Sequence, residues 1–274
     1  MPKPSPAPAA SARVAAAVPN YEVKLFLDPA KVLDVEFKPT KRADRALGLK
    51  SSSRKIAMQF LDGPRAEGAE KSPLDAAGWN VRVRRFEDSD ELELSYKRRY
   101  PIAPGQLAGT LAAAAADGFH AKENDYAAQV EWGFTKETLS FTRKKEFRAG
   151  DAAELALPTE AELRLLAIRE VPGKLDRAQS AGWARGVLTT GHLYGPVLGK
   201  RWAGDLWDLK LSFEVWLVRV EAGSGYEPVV ELSFKADTQA DANGFREKLL
   251  SFTRDEGWLL ERDVLKTAMI LRRY

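Results

Sequence analysis

Trp79 to Tyr100 reads WNVRVRRFEDSDELELSYKRRY, and the side to which its charges point decides the fold. The stretch is expected to form two strands joined by a polar turn from Phe86 to Glu91. Val81 and Val83 alternate with Arg82 and Arg84. Leu92, Leu94 and Tyr96 alternate with Glu93, Ser95 and Lys97. A side-chain period of two puts each set on its own face, one apolar and one charged. Two readings follow. The hairpin is amphipathic with its charges in water, or it belongs to a closed sheet turned inside out, with the charges lining a tunnel.

Outward from this hairpin, composition excludes several chemistries. The chain has 274 residues, 45% of them hydrophobic, enough for one large domain with a substantial core. Lys plus Arg number 42 against 39 Asp plus Glu, and no polybasic run accompanies the net charge of +3, so nucleic acid is not an expected partner. There is no cysteine, which removes thiol catalysis, disulfides and cysteine metal sites. The two histidines, His120 and His192, lie far apart, and neither sits in a histidine metal or triad motif. No apolar run reaches the roughly 20 residues of a membrane span, and the expected location is cytoplasmic.

Residues 1–19 are rich in Pro, Ala and Ser without an acidic residue, and are expected to be a disordered tail or linker, with a targeting peptide as the alternative, before a single domain over 20–274. Asn20 to Leu27 forms the first strand. Asp28-Pro29 then caps a short helix running toward Val35. Lys38 to Arg54 is polar and is read as a loop, Lys55 to Leu61 as a strand. Beyond the hairpin, Ala103 to Asp117 is an Ala-rich helix, and Tyr126 to Phe134 with Glu137 to Phe147 is a second hairpin. Thr159 and Glu162 form a capping-box signature before another helix. Val171 to Arg201 is irregular. Strands are expected over Leu209 to Val220, Val229 to Ala236 and Val264 to Leu271, with a helix from Thr238 to Gly257. The sum is an α+β chain of about eight or nine strands.

Several strands repeat the hairpin's pattern. Glu22 and Lys24 share a face, as do Glu231 and Lys235; Arg143 and Lys145 do so less cleanly, since Lys144 and Glu146 charge the other face. Long cations mixed with carboxylates suit a polyanion, with the carboxylates able to hold a bridging divalent ion.

These stretches resemble, in order, the motifs of the CYTH superfamily, the triphosphate tunnel metalloenzymes. That family includes inorganic and thiamine triphosphatases and class IV adenylate cyclases. Its Glu-x-Glu-x-Lys strand is matched by Asn20 to Lys24, its Leu-Arg-x-Arg strand by Val81 to Arg84, and its Leu-Thr-x-Lys strand by Leu94 to Lys97. Its later acidic pair is matched by Glu231 to Ser233 and its terminal lysine by Lys266. Tyr96 to Pro101 and Gln129 to Gly133 resemble stretches of a divergent, mainly fungal branch. The resemblance implies an antiparallel β tunnel of eight strands or nearly so, with a polar interior and helices outside. It implies phosphate contacts from Lys24, Arg82, Arg84, Lys97 and Lys266, with Arg143, Lys145, Lys200 and Arg201 as additions. It also implies Mg²⁺ or Mn²⁺ held by Glu22, Glu214 and Glu231. The chain departs from the pattern at Asn20 and Ser233, where the family places carboxylates, so the metal site is expected to be weakened.

Three functions are therefore carried forward. The chain is a metal-dependent triphosphatase, a polyanion-binding protein without turnover, or an interaction domain whose tunnel is filled by its own salt bridges. The substrate and the oligomeric state are not set by the sequence.

Overall fold

In the computed structural model, which describes residues 16–121, 125–149 and 155–274, the strands close into one barrel in the order β1-β5-β6-β4-β3-β2-β7-β8-β9. These are β1 (Asn20–Leu27), β2 (Leu49–Asp62), β3 (Trp79–Phe86), β4 (Glu91–Ile102), β5 (Ala127–Trp132), β6 (Glu137–Arg148), β7 (His192–Leu206), β8 (Leu209–Arg219) and β9 (Tyr226–Ala236). The barrel has nine strands rather than eight, and β1 runs parallel to β5 while every other pair is antiparallel. The two corrections are one fact. Directions cannot alternate around a ring with an odd number of members, so closure requires a parallel seam.

The helices are α1 (Pro29–Val32), α2 (Lys41–Ala46), α3 (Pro73–Ala76), α4 (Leu107–Ala116), α5 (Glu160–Glu170), α6 (Gly173–Asp176), α7 (Trp183–Thr189), α8 (Gln239–Asp255) and α9 (Lys266–Arg273). The outer wall of the barrel, including Val81, Val83, Leu94 and Tyr96, packs into one apolar layer with helical residues such as Leu163 and Leu249. Tyr96 is fully buried there, and its hydroxyl donates to the Ala167 carbonyl of α5 at 2.8 Å. The expected capping box starts α5: Thr159 Oγ1 accepts from the Glu162 N–H, and Glu162 accepts from the Thr159 N–H.

Three expected segments differ. The polar stretch from Lys38 to Arg54 holds α2, capped by Thr40, and the first half of β2, which is polar because it stands mostly exposed. Val171 to Arg201 holds α6, α7 and β7. Val264 to Leu271 is mainly α9. Unlike the other helices its apolar side enters the barrel, where Ile270 and Leu271 join Phe26, Met58, Val197 and Trp216 in a second apolar cluster. A short apolar run does not distinguish strand from helix by period alone.

Of the expected tail, residues 1–15 lie outside the described residues, while Ala16 bridges to His120. Among the described residues no helix is long and apolar enough to cross a membrane.

Candidate functional site

Residues directly opposite each other in neighbouring strands share a face, so the register identifies the interior. Arg82 faces Ser95, which faces Lys144; Arg84 faces Glu93; Lys97 faces Thr142; Arg99 faces Ser140, which faces Gln129. Glu22 faces both Glu131 and Lys235, and Lys24 faces Ser233. Arg201 faces Glu214, which faces Glu231. All these residues line the barrel. Its interior is thus divided. The β2, β7 and β8 side is largely apolar and carries α9, whereas the side formed by β1, β3, β4, β5 and β6 is charged.

On the charged side, Glu93 collects three cations: Arg82 at 3.2 Å, Arg84 at 2.9 Å and Lys144 at 2.9 Å. The three together outweigh its burial and hold its carboxyl at about 2. Glu131 pairs with Lys97 and, at 3.7 Å, with Lys24, which also lies 2.9 Å from Glu22. Burial opposes ionisation of Glu131, but Lys24, Lys97 and Arg99 keep it well below the usual carboxylate range. Two cations are made less basic. Burial, with Arg84 and Arg99 nearby, brings Arg82 down to about 10. Burial, with Arg99 and Lys24 nearby, brings Lys97 down to about 8 despite Glu131.

Six cations, Lys24, Arg82, Arg84, Lys97, Arg99 and Lys144, thus surround three part-buried carboxylates, Glu22, Glu93 and Glu131. Glu146, exposed, stands opposite Glu93. Buried Nε atoms of both Arg82 and Arg84 lack a hydrogen-bond partner, and Arg99 makes no ion pair among the described residues.

The expected residues fall into three groups. Lys24, Arg82, Arg84 and Lys97 come together. Arg201 and Lys266 also face the interior, but at the boundary with the apolar side. Lys266 Nζ is 3.3 Å from Glu214 and 3.3 Å from Glu231, and Arg201 holds Glu214 through its Nε at 2.7 Å. Arg143, Lys145 and Lys200 are not brought to the interior. Arg143 faces Tyr96 on the outer wall and lies 3.5 Å from Asp125; Lys145 pairs with Glu170 of α5; Lys200 faces Val215 and Lys55. In both β6 and β7 adjacent residues are charged, so alternation did not say which one points in, and the register does.

Arg99, Lys144 and Glu131 are charged interior residues that the sequence reading left without a role, whereas Glu93 stands on the charged face where alternation put it, paired with Arg84. Arg99 has the parity of Lys97, and Glu131 lies within Gln129 to Gly133.

The three carboxylates expected to hold a metal do not fit one. Glu22 is tied to Lys24, Glu231 to Lys266, and Glu214 to Arg201, Lys266 and the Trp216 indole N–H at 2.7 Å. Among the described residues no group of three or more His, Asp or Glu is placed to hold an ion. An octahedral Mg²⁺ needs oxygen donors that converge on it. Here they converge on ammonium and guanidinium groups.

No protein-family model matches the chain, and no curated protein matches it. Solved structures that it resembles include a candidate adenylyl cyclase from Hippeastrum with a dominant triphosphatase activity, at 14% identity over 91% of this chain and 93% of that one, TM-score 0.49. A candidate adenylate cyclase from Bacillus halodurans matches at 10% identity over 93% and 98%, TM-score 0.49. A protein from Pyrococcus horikoshii matches at 12% identity over 90% and 97%, TM-score 0.39.

Proposed function

We propose that the charged side of the barrel binds a small, elongated polyanion of the triphosphate type, and that it does so without turnover. The observation that supports this is the excess of cations over carboxylates, six against four with the exposed Glu146 counted, together with the absence of an ion pair to Arg99 among the described residues and the unpartnered Nε atoms of Arg82 and Arg84. A buried donor left unsatisfied costs about 1–3 kcal/mol, and a phosphate oxygen would satisfy it with a charge-assisted bond. Glu93, Ser95, Lys97 and Arg99 lie two residues apart along β4, so the row is about 20 Å long. That length suits several linked phosphates better than one. The reading stops at binding because Glu22, Glu214 and Glu231, the ligands a metal-dependent hydrolase would need, are each held by a cation of this chain.

A second reading, an interior that neutralises itself, draws support from the three cations gathered on Glu93. It accounts for Arg99 only as a neighbour of Glu131 without an ion pair among the described residues, and it leaves the Nε donors of Arg82 and Arg84 without acceptors. Calorimetric titration with tripolyphosphate at low salt in EDTA separates the two, since phosphate contacts are strongest where screening is weakest. The expected result is binding that weakens at least about tenfold in Arg99→Ala and is unchanged in Lys145→Ala, whose side chain lies outside the barrel. Absence of heat in the wild-type protein, or equal loss in both variants, would overturn the proposal.

A further inference from the structure

We infer that Lys266 takes the place of a divalent cation inside this barrel, as a counter-ion built into the chain and seated by α9. Its Nζ lies 3.3 Å from Oε2 of Glu214, 3.3 Å from Oε2 of Glu231 and 4.2 Å from the centre of the Trp216 ring. The remaining approaches to Glu214 are also filled. Arg201 covers Oε1, and the Trp216 indole N–H donates to Oε2 at 2.7 Å. Two cations thus balance two carboxylates, and Glu214, 5% exposed at its side chain, lies well below the usual carboxylate range: burial opposes ionisation, and Lys266 and Arg201 outweigh it. A bare metal ion entering here would have to displace an ammonium group and a guanidinium group already paired with these carboxylates.

The cation is held in position from both ends of its helix. Ahead of it, Asp263 accepts hydrogen bonds from the backbone N–H groups of Phe134, Thr135 and Lys136 in the turn between β5 and β6. Beyond it, Ile270 and Leu271 are buried in the barrel, and Arg273 reaches Glu227 at 2.7 Å and the Arg219 carbonyl at 2.9 Å. The seat is shaped for this arrangement as well. A Cβ on Gly199 would stand 2.6 Å from the Trp216 ring, so the glycine of β7 is what lets the indole lie under the ammonium group.

The inference is independent of whether the interior binds an anion, and its test uses metal alone. Manganese(II) is titrated into the full chain, and the free-ion signal is followed by electron paramagnetic resonance. The wild-type protein is expected to leave that signal as it is in buffer up to millimolar protein. Lys266→Met, which keeps the aliphatic stem over Trp216 and removes the charge, is expected to take up manganese, and adding Glu231→Gln to it is expected to abolish the uptake. Uptake by the wild-type chain that Glu214→Gln removes would overturn the inference. So would a folded Lys266→Met that binds no manganese. If Lys266→Met fails to fold by circular dichroism, Lys266→Ala is read in the same way, and the wild-type titration with its Glu214→Gln control still decides.

Discussion

Lys97 is the interior cation whose charge is most easily removed, because burial and the neighbouring Arg99 and Lys24 bring it to about 8. Its protonated form is the one that attracts an anion. Affinity for tripolyphosphate is therefore expected to be full below pH 8 and to fall as pH rises above it, by up to about tenfold per pH unit. The ligand loses its own last proton in a similar range, so the comparison is made with Lys97→Arg, which stays charged and should show no such fall. Calorimetry at pH 7 and pH 9.5 on both proteins checks this; parallel profiles would remove Lys97 from the site. At this scale the sequence was legible wherever one face of a strand is apolar. Val81 and Val83 fixed the side of Arg82 and Arg84. It was not legible in β6, where Lys144 points in and Arg143 and Lys145 point out, because the outer wall also carries charge to meet Asp125 and Glu170. Polarity marks a face only when the other face lacks it.

Among the elements, the two hairpins and the capped helix α5 were legible because local signals set them: alternation, turn residues and a capping box. The C-terminal segment was not, because a tertiary cavity decides its form. Residues 264–271 carry no helix cap, and the Leu265 cap position has no side-chain bond. The helix is stable because its apolar side fills the barrel and because Asp263 ties its start to the β5–β6 turn, with Oδ1 2.6 Å from the Phe134 nitrogen. Gly133 makes room for that carboxylate, since a Cβ there would fall 2.1 Å from Oδ1. Asp263→Ala is expected to cost about 1.5–3 kcal/mol, the net worth of hydrogen bonds to a charged acceptor. Urea denaturation checks the value. A change below about 0.5 kcal/mol, the size of an ordinary surface substitution, would show that the tie contributes nothing.

For the whole molecule, the inside-out barrel follows from many strands sharing one apolar and one charged face while enough helices exist to cover the apolar one. Strand count and seam were beyond reach, since the parity of a closed ring depends on every element being placed. The same division of faces carries the functional reading, because it encloses an excess of cations next to an apolar half sealed by α9. The most direct measurement of that reading is a titration of the Arg Nε–H resonances by nuclear magnetic resonance, with Arg82 and Arg84 assigned by substitution. Saturating shifts of these two signals on adding tripolyphosphate in EDTA are the expected result, because their Nε donors are buried inside the barrel without a partner. Shifts confined to exposed arginines such as Arg42 and Arg272, with Arg82 and Arg84 unmoved, would contradict a polyanion site inside the barrel.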